Sequence, residues 1–133
     1  MAKKSKKTTG KKKKIQLRNV HSAVFYVQSS FNNTMITMAT EQGDVLAISS
    51  AGQMNFKGTK KSTPFAATLV GKNIVEKAAN YNIKEAIIYV SGVGSGRDSA
   101  VRTIATSGIT INQITDITPV PHNGCRARKP KRV

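Results

Sequence analysis

The stretch Ala86-Ile-Ile-Tyr-Val90, followed directly by Ser91-Gly-Val-Gly-Ser-Gly-Arg97, decides the fold of this 133-residue chain. Its unbroken apolar run predicts a β-strand covered on both faces, because a strand with one face in water alternates apolar and polar residues. The glycine-rich stretch predicts a turn, and a helix then begins at Asp98 or Ser99, with the acid as its cap. Residues 109–118 predict the next strand. This strand–helix–strand unit implies parallel strands joined by a right-handed crossover.

A longer helix is predicted upstream of this unit. Thr63 can cap its first turn, and Pro64 fits its first position, where the missing N–H would have no helical partner. Apolar residues then recur at every third or fourth position as far as Tyr81. Gly71, inside the helix, is predicted to allow close packing on a sheet. Gly108 is expected to end the second helix.

The first half of the chain predicts an antiparallel meander of strands. Residues that favour β-structure fill 20–30, 34–40 and 45–49, with turn residues between them. Gly43 lies in the second turn, where glycine can take a positive φ. The complete order predicts an α/β fold, with a mixed sheet of about five strands and helices packed on it.

Charge is distributed unevenly along the chain. The formal net charge is +16, from 22 Lys and Arg against 6 Asp and Glu. Residues 1–18 hold nine cations and no acid, and residues 123–133 hold five cations and no acid. We predict a basic disordered N-terminal arm (1–18), a globular α/β domain (19–121) and a basic extended C-terminal tail (122–133). Two cationic arms on a nearly balanced globule are typical of a nucleic-acid-binding protein. The alternative is that the arms serve only solubility.

Several other classes of function are disfavoured. No run of about 18 apolar residues predicts a membrane span. The single cysteine, Cys125, rules out an internal disulfide and fits a reducing compartment. His122 and Cys125 alone do not make a zinc site, and the few acids all have structural roles available, which disfavours a metal-dependent nuclease. We therefore expect no catalytic residue, no metal and no cofactor, and the chain is not predicted to be an enzyme.

The glycine-rich turn is a candidate phosphate site. A strand, a glycine-rich turn and a helix N-terminus bring free N–H groups and the positive end of a helix dipole together. Arg97 and Arg102 would support such a contact. One alternative is a structural turn without a ligand. Another is a nucleotide pocket, which is disfavoured because Ser99 stands where the dinucleotide fingerprint needs its third glycine.

A second candidate is the segment before the longer helix. Lys57, Lys60 and Lys61 precede the helix N-terminus, so their charge adds to the helix dipole and favours phosphate. The alternative is an ordinary solvated loop.

The tail has its own signals. Pro119 and Pro121 forbid a helix and remove two backbone donors, and Asn123-Gly124 predicts a turn. The cations after Cys125 stand without any acid. Such a segment can lie extended along a polyanion.

Long motifs of this chain resemble one family. They are Ser30-Phe-Asn-Asn-Thr34, Ser50-Ala-Gly52, Phe56-Lys-Gly58, Lys61-Ser-Thr-Pro-Phe-Ala-Ala67, Gly96-Arg97 and Asp116-Ile-Thr-Pro-Val-Pro-His-Asn-Gly-Cys-Arg126. Together they are similar to the small-subunit ribosomal protein eleven family of bacteria and organelles, from about Val20 to Val133. Residues 1–18 match only in charge.

The resemblance implies a ribonuclease-H-like three-layer fold without nuclease activity. It implies a structural constituent of the small ribosomal subunit, on its platform near the messenger RNA exit, that supports assembly and translation. Its partners would be ribosomal RNA and neighbouring platform proteins, in a bacterial cytoplasmic or an organellar ribosome. RNA contacts would fall at 30–34, 56–65, 92–97 and 122–133. The alternative is a free-standing RNA-binding or RNA-processing factor on the same fold.

The implied stretches and the cationic arms together give the candidate RNA-binding residues. They are Lys11, Lys12, Lys13, Lys14, Arg18, Asn32, Asn33, Lys57, Gly58, Lys60, Lys61, Ser62, Thr63, Gly92, Gly94, Gly96, Arg97, Arg102, His122, Asn123, Gly124, Cys125, Arg126, Arg128, Lys129, Lys131 and Arg132. The chain departs from the family pattern at Val93 and at Ala127-Arg128, where the family usually has proline. We expect these departures to change individual contacts only.

Overall fold

The computed structural model describes residues 19–129, which form a five-stranded sheet and two helices. The predicted N-terminal arm, 1–18, lies outside the described residues, as do residues 130–133. The mixed α/β fold class is confirmed. Its elements are β1 (Ser22–Ser29), β2 (Thr34–Thr40), β3 (Val45–Ser50), a 3₁₀ turn (Gly58–Ser62), α1 (Pro64–Ala79), β4 (Glu85–Ser91), α2 (Arg97–Thr106) and β5 (Thr110–Asp116).

The strands lie in the order β3-β2-β1-β4-β5. β2 is antiparallel to β1 and β3, which confirms the predicted meander, whereas β4 is parallel to β1 and β5. The crossovers from β3 to β4 and from β4 to β5 run in the same direction across the sheet. Crossovers of one hand therefore place both helices on the same face.

A single apolar core lies between that face and the helices. Phe25 of β1 pairs with Met38 of β2 and with Ile88 of β4, and all three side chains are fully buried. Ile74 of α1 and Ile104 of α2 complete the centre of this cluster. Burial of each side chain of this size contributes about 1.5–3 kcal/mol, so the core dominates the stability of the sheet–helix packing.

The opposite face of the sheet carries no helix within the described residues. Ile87 and Tyr89 of β4 are only half-buried, and Tyr89 stacks on Tyr26 with ring centroids 5.5 Å apart. The expectation that β4 is covered on both faces is therefore wrong for residues 19–129. The apolar run reflects packing between neighbouring strands on this face, and the described residues form one sheet layer and one helical layer.

Local signals at turns and helix ends are confirmed. The Thr63 hydroxyl oxygen accepts a hydrogen bond from the Ala66 N–H at 3.2 Å, and Pro64 is the first residue of α1. Gly43 has φ +99° in the β2–β3 turn. Gly108 has φ +90° just after α2, where its missing side chain allows the chain to leave the helix.

Two details of the helices differ from the sequence-based expectation. The sequence predicts Asp98 as the cap of α2, but the helix already begins at Arg97, so Asp98 lies in its first turn. The residue before the helix is Gly96. Gly71 faces α2 and not the sheet. A Cβ at Gly71 would stand 2.8 Å from Thr103 Cβ and 3.5 Å from the Ala100 carbonyl oxygen. Because the helices share one face of the sheet, the close contact is between them.

This contact predicts the sign of a substitution. Gly71→Ala gains about 1 kcal/mol in helix propensity. It also forces the helices apart, which costs about 1–3 kcal/mol. We expect a net loss of unfolding free energy, measured by denaturant titration. Gly52→Ala is the control, since its Cβ would have no neighbour closer than 3.9 Å, and we expect a change within about 0.5 kcal/mol. A more stable Gly71→Ala variant would contradict the packing.

Candidate nucleic-acid interface

The predicted RNA-contacting stretches meet at one edge of the sheet. β1, β3, β4 and β5 run in the same direction, so their carboxyl ends lie at the same edge, where β2 begins. Loops at the carboxyl ends of strands form the usual binding edge of such sheets. We call this the carboxyl edge; it comprises the turn 30–33, the lysine segment 57–63, the glycine loop 92–96 and the tail root 116–118.

The glycine loop packs tightly against the end of β1. The Gly94 N–H donates to the Ser29 carbonyl oxygen at 2.9 Å. A Cβ on Gly92 would collide with the Ser29 backbone, one on Gly94 with the Ser30 carbonyl oxygen, and one on Gly96 with neighbouring side chains. The glycines are thus required by packing within the chain, which supports the structural reading of this turn. The Gly94 N–H has an internal acceptor and is not free for a phosphate.

The tail root is tied to the glycine loop by a closed ring of hydrogen bonds, which we call the Asp116 ring. Arg97 donates from Nη1 to the Gly92 carbonyl oxygen and from Nη2 to Asp116 Oδ2, both at 2.7 Å. Asp116 Oδ1 accepts from the Thr118 hydroxyl at 2.6 Å and from the Thr118 N–H at 2.9 Å. Thr118 Oγ1 accepts from the Gly92 N–H at 3.1 Å, which closes the ring. Arg97, predicted to support a phosphate site, is therefore bonded within the chain.

The carboxylate in this ring keeps its charge. Hydrogen bonds from the Thr118 hydroxyl, from Arg97 and from the Thr118 N–H hold the pKa of Asp116 well below its usual range. Because the folded-state pKa is depressed, the ring adds stability above the unfolded-state pKa of about 4. That contribution is lost progressively as the pH falls from the unfolded-state pKa to the lower folded-state pKa of Asp116.

The lysine segment lies beside the glycine loop. The Ser95 hydroxyl donates to the Ser62 carbonyl oxygen at 2.8 Å and so joins the two. Lys57 and Lys60 are exposed and Lys61 is half-buried, and none of them forms an ion pair with a described residue. These cations stand at the positive end of α1, which makes the segment favourable for an anion.

Other predicted residues of this segment have structural roles. The Ser62 hydroxyl donates to the Thr59 carbonyl oxygen at 3.1 Å, and the Thr63 hydroxyl donates to the Lys60 carbonyl oxygen at 2.8 Å while capping α1. Gly58 takes φ +59°, which starts the 3₁₀ turn. These residues fix the conformation of the lysine segment, and the side chains of its lysines stay available for a ligand.

The turn 30–33 presents an aromatic ring that sequence reasoning did not single out. The Ser30 hydroxyl oxygen accepts from the N–H groups of Asn32 and Asn33, at 3.3 and 3.1 Å, and Asn33 Oδ1 accepts from the next N–H at 2.9 Å. The turn is therefore braced from within. Phe31 at its tip is 76% exposed, and it lines a cleft of about 280 Å³ with Val93, which is 62% exposed. The signal in the sequence was a lone aromatic residue among polar turn residues.

The tail and Arg102 lie apart from this packed edge. Residues 122–129 are exposed and form no hydrogen bond or ion pair with another described residue. The predicted turn has Asn123 at φ +58°, and the Cys125 thiol is free. Arg102 is exposed about 7.5 Å further along the axis of α2 than Arg97. The remaining candidates, Lys11, Lys12, Lys13, Lys14, Arg18, Lys131 and Arg132, lie outside the described residues.

The described chain offers no other obvious chemistry. Between residues 19 and 129, no three His, Cys, Asp or Glu side chains gather closely enough to hold a metal ion. Neither α1 nor α2 has the length and apolar character needed to cross a membrane.

Comparison with known proteins agrees with the motifs. The family model described as "Ribosomal protein S11" matches residues 23–132. Similar curated proteins are "Small ribosomal subunit protein uS11" of Borreliella burgdorferi (strain ZS7), Borreliella afzelii (strain PKo) and Borrelia garinii subsp. bavariensis. Each is 46% identical over 129 residues, which cover 97% of this chain and 98% of the relative. These relatives are ribosomal proteins and not enzymes. The match across the whole described fold shows that this chain belongs to the ribosomal protein S11 family.

Proposed function

We propose that this protein is a structural constituent of the small ribosomal subunit and that it binds ribosomal RNA through its carboxyl edge and C-terminal tail. Family membership supports the first part. The finer placement, on the platform near the messenger RNA exit and beside other platform proteins, is part of the same proposal. So is its location in a bacterial cytoplasmic or an organellar ribosome.

Unpaired cations at the carboxyl edge and along the tail support RNA binding. The Asp116 charge is neutralised by Arg97 at 2.7 Å, which leaves Asp98 as the exposed acid at the start of α2. The carboxyl edge and the tail also hold exposed or half-buried cations that have no acidic partner among the described residues. They are Lys57, Lys60, Lys61, Arg126, Arg128 and Lys129. A phosphate backbone is the polyanion that such an array attracts.

Stable incorporation into small ribosomal subunits distinguishes a structural constituent from a free-standing RNA-binding or RNA-processing factor. A structural constituent should co-sediment with small ribosomal subunits in sucrose gradients at high salt, in roughly one copy per subunit. A processing factor would dissociate there, because its contacts with the particle are transient. Recovery of the protein at the top of the gradient, away from intact subunits, would contradict the proposal.

The affinity for small-subunit ribosomal RNA should depend steeply on salt. Roughly 6–10 phosphate contacts would lower it about 10³–10⁵-fold between about 50 and 200 mM salt. A variant lacking residues 1–14 and 126–133 should show a shallower slope, with its circular dichroism spectrum unchanged because the core lies elsewhere. A slope near zero for the full chain would rule out the electrostatic part.

An aromatic contact would add to this attraction. Phe31 is exposed on a braced turn beside the cleft that it shares with Val93, and the lysine segment belongs to the same carboxyl edge. An RNA base that is not stacked on its neighbours can stack on such a ring, and any base can do so because each has an aromatic face. We infer that Phe31 holds one unstacked base of the ribosomal RNA.

The substitution Phe31→Ala tests this contact. The RNA affinity should fall about 5- to 150-fold, the range for loss of one stacked base, with no change in the salt slope. Phe31→Tyr, which keeps the ring, should bind like the natural protein. Equal affinities of the Ala and Tyr variants in a titration with the RNA would contradict base stacking.

A further inference from the structure

We propose that Asp116 is a positioning residue for RNA binding: the Asp116 ring sets the direction in which the C-terminal tail leaves the sheet. Arg97 then serves the ring and not a phosphate. This inference rests on the proposed function, because the tail is taken to be an RNA-binding element.

The contacts of the tail show why its direction depends on the ring. The last backbone bond of the tail root to the sheet is that of the Ile117 N–H to the Val90 carbonyl oxygen, at 2.8 Å. From Pro119 to Lys129 the chain is exposed and has no hydrogen bond or ion pair to another described residue. Thr118, held through both its N–H and its hydroxyl, is therefore the last anchored residue.

The geometry also explains why Arg97 is a poor phosphate ligand. The Arg97 side chain is only 28% exposed, and its guanidinium already donates to a carbonyl oxygen and to a carboxylate, both at 2.7 Å. A phosphate at Arg97 would stand close to the Asp116 carboxylate, and the two anions would repel each other. Arg102 has no such partner among residues 19–129 and remains a candidate for phosphate.

Neutralising Asp116 distinguishes a role in positioning the tail from simple electrostatic attraction of RNA. Asp116→Asn makes the chain more cationic, so electrostatics alone predicts tighter binding of RNA. An amide has one oxygen and one NH₂ group, so the substituted side chain cannot accept from both Arg97 and Thr118 as the carboxylate does. The ring would open, and the tail would lose its preset direction. Positioning therefore predicts weaker binding, which is the opposite sign.

The experiment uses the full chain and a transcript of small-subunit ribosomal RNA. Asp116→Asn is compared with Asp98→Asn, which removes the same charge at the same edge but outside the ring. Thr118→Val is compared with Thr110→Val at the other end of β5. We expect the ring variants to bind about tenfold more weakly at fixed salt. The control variants should bind as tightly as the natural chain or slightly more tightly.

Amide hydrogen exchange reports on the ring without RNA. The N–H groups of Gly92 and Thr118 should exchange slowly in the natural chain and in both controls, and faster in both ring variants. Slow exchange that persists in Asp116→Asn would overturn the role of the carboxylate. Fast exchange with unchanged or tighter RNA binding would overturn the role in positioning. Failure of the natural chain to bind RNA would instead contradict the proposed function.

A pair of arginine variants completes the test. Arg102→Ala should reduce the salt slope by about 1 if Arg102 contacts a phosphate. Arg97→Ala should weaken binding at every salt concentration with the slope unchanged, because it opens the ring. A slope reduced by about 1 in Arg97→Ala would assign Arg97 to a phosphate and overturn this inference.

Discussion

The parallel pairing of β1 with β4 is the constraint on which the rest of the structure depends. Its register runs from Ser22 opposite Glu85 to Gln28 opposite Ser91, so the two strands end side by side. The turn after β1 and the glycine loop after β4 must then share a narrow space. Glycine backbone fills that space where any side chain would collide with β1. The parallel pairing of β4 with β5 then places the end of β5 and the tail root within reach of the glycine loop.

Charge in the described chain follows this architecture. The face of the sheet without helices carries the exposed Tyr26 and the half-buried Tyr89 and Ile87, and its paired strand residues include no lysine or arginine. Most of the cations without an acidic partner among the described residues lie at the carboxyl edge and in the tail, whereas Lys72, Lys84 and Arg102 lie elsewhere. A polyanion is therefore attracted to one end of the protein, which orients the molecule before any short-range contact forms.

Local chemistry could be predicted from the sequence, and long-range partners could not. The cap at Thr63, the glycine turn at Gly43 and the strand bounds of β2 depend on neighbouring residues, and the structure confirms them. The contact of Gly71 with α2 required knowing that both crossovers place their helices on one face. The partner of Arg97 was equally hidden, because Asp116 lies 19 residues away and meets it only through the pairing of β4 with β5. The individual RNA contacts stay predictions.

An unstructured cationic tail supplies attraction but not direction. Long-range attraction depends on charge and falls with salt, whereas the register of a complex depends on where the first bound residues stand. Pro119 and Pro121 narrow the conformations of the chain just after Thr118, so a direction fixed at Thr118 is carried outward over the next few residues. A fixed acid in a cationic edge thus has a clear physical role. Asp116 lowers by one the net positive charge that attracts RNA, and it holds the tail root in a single orientation.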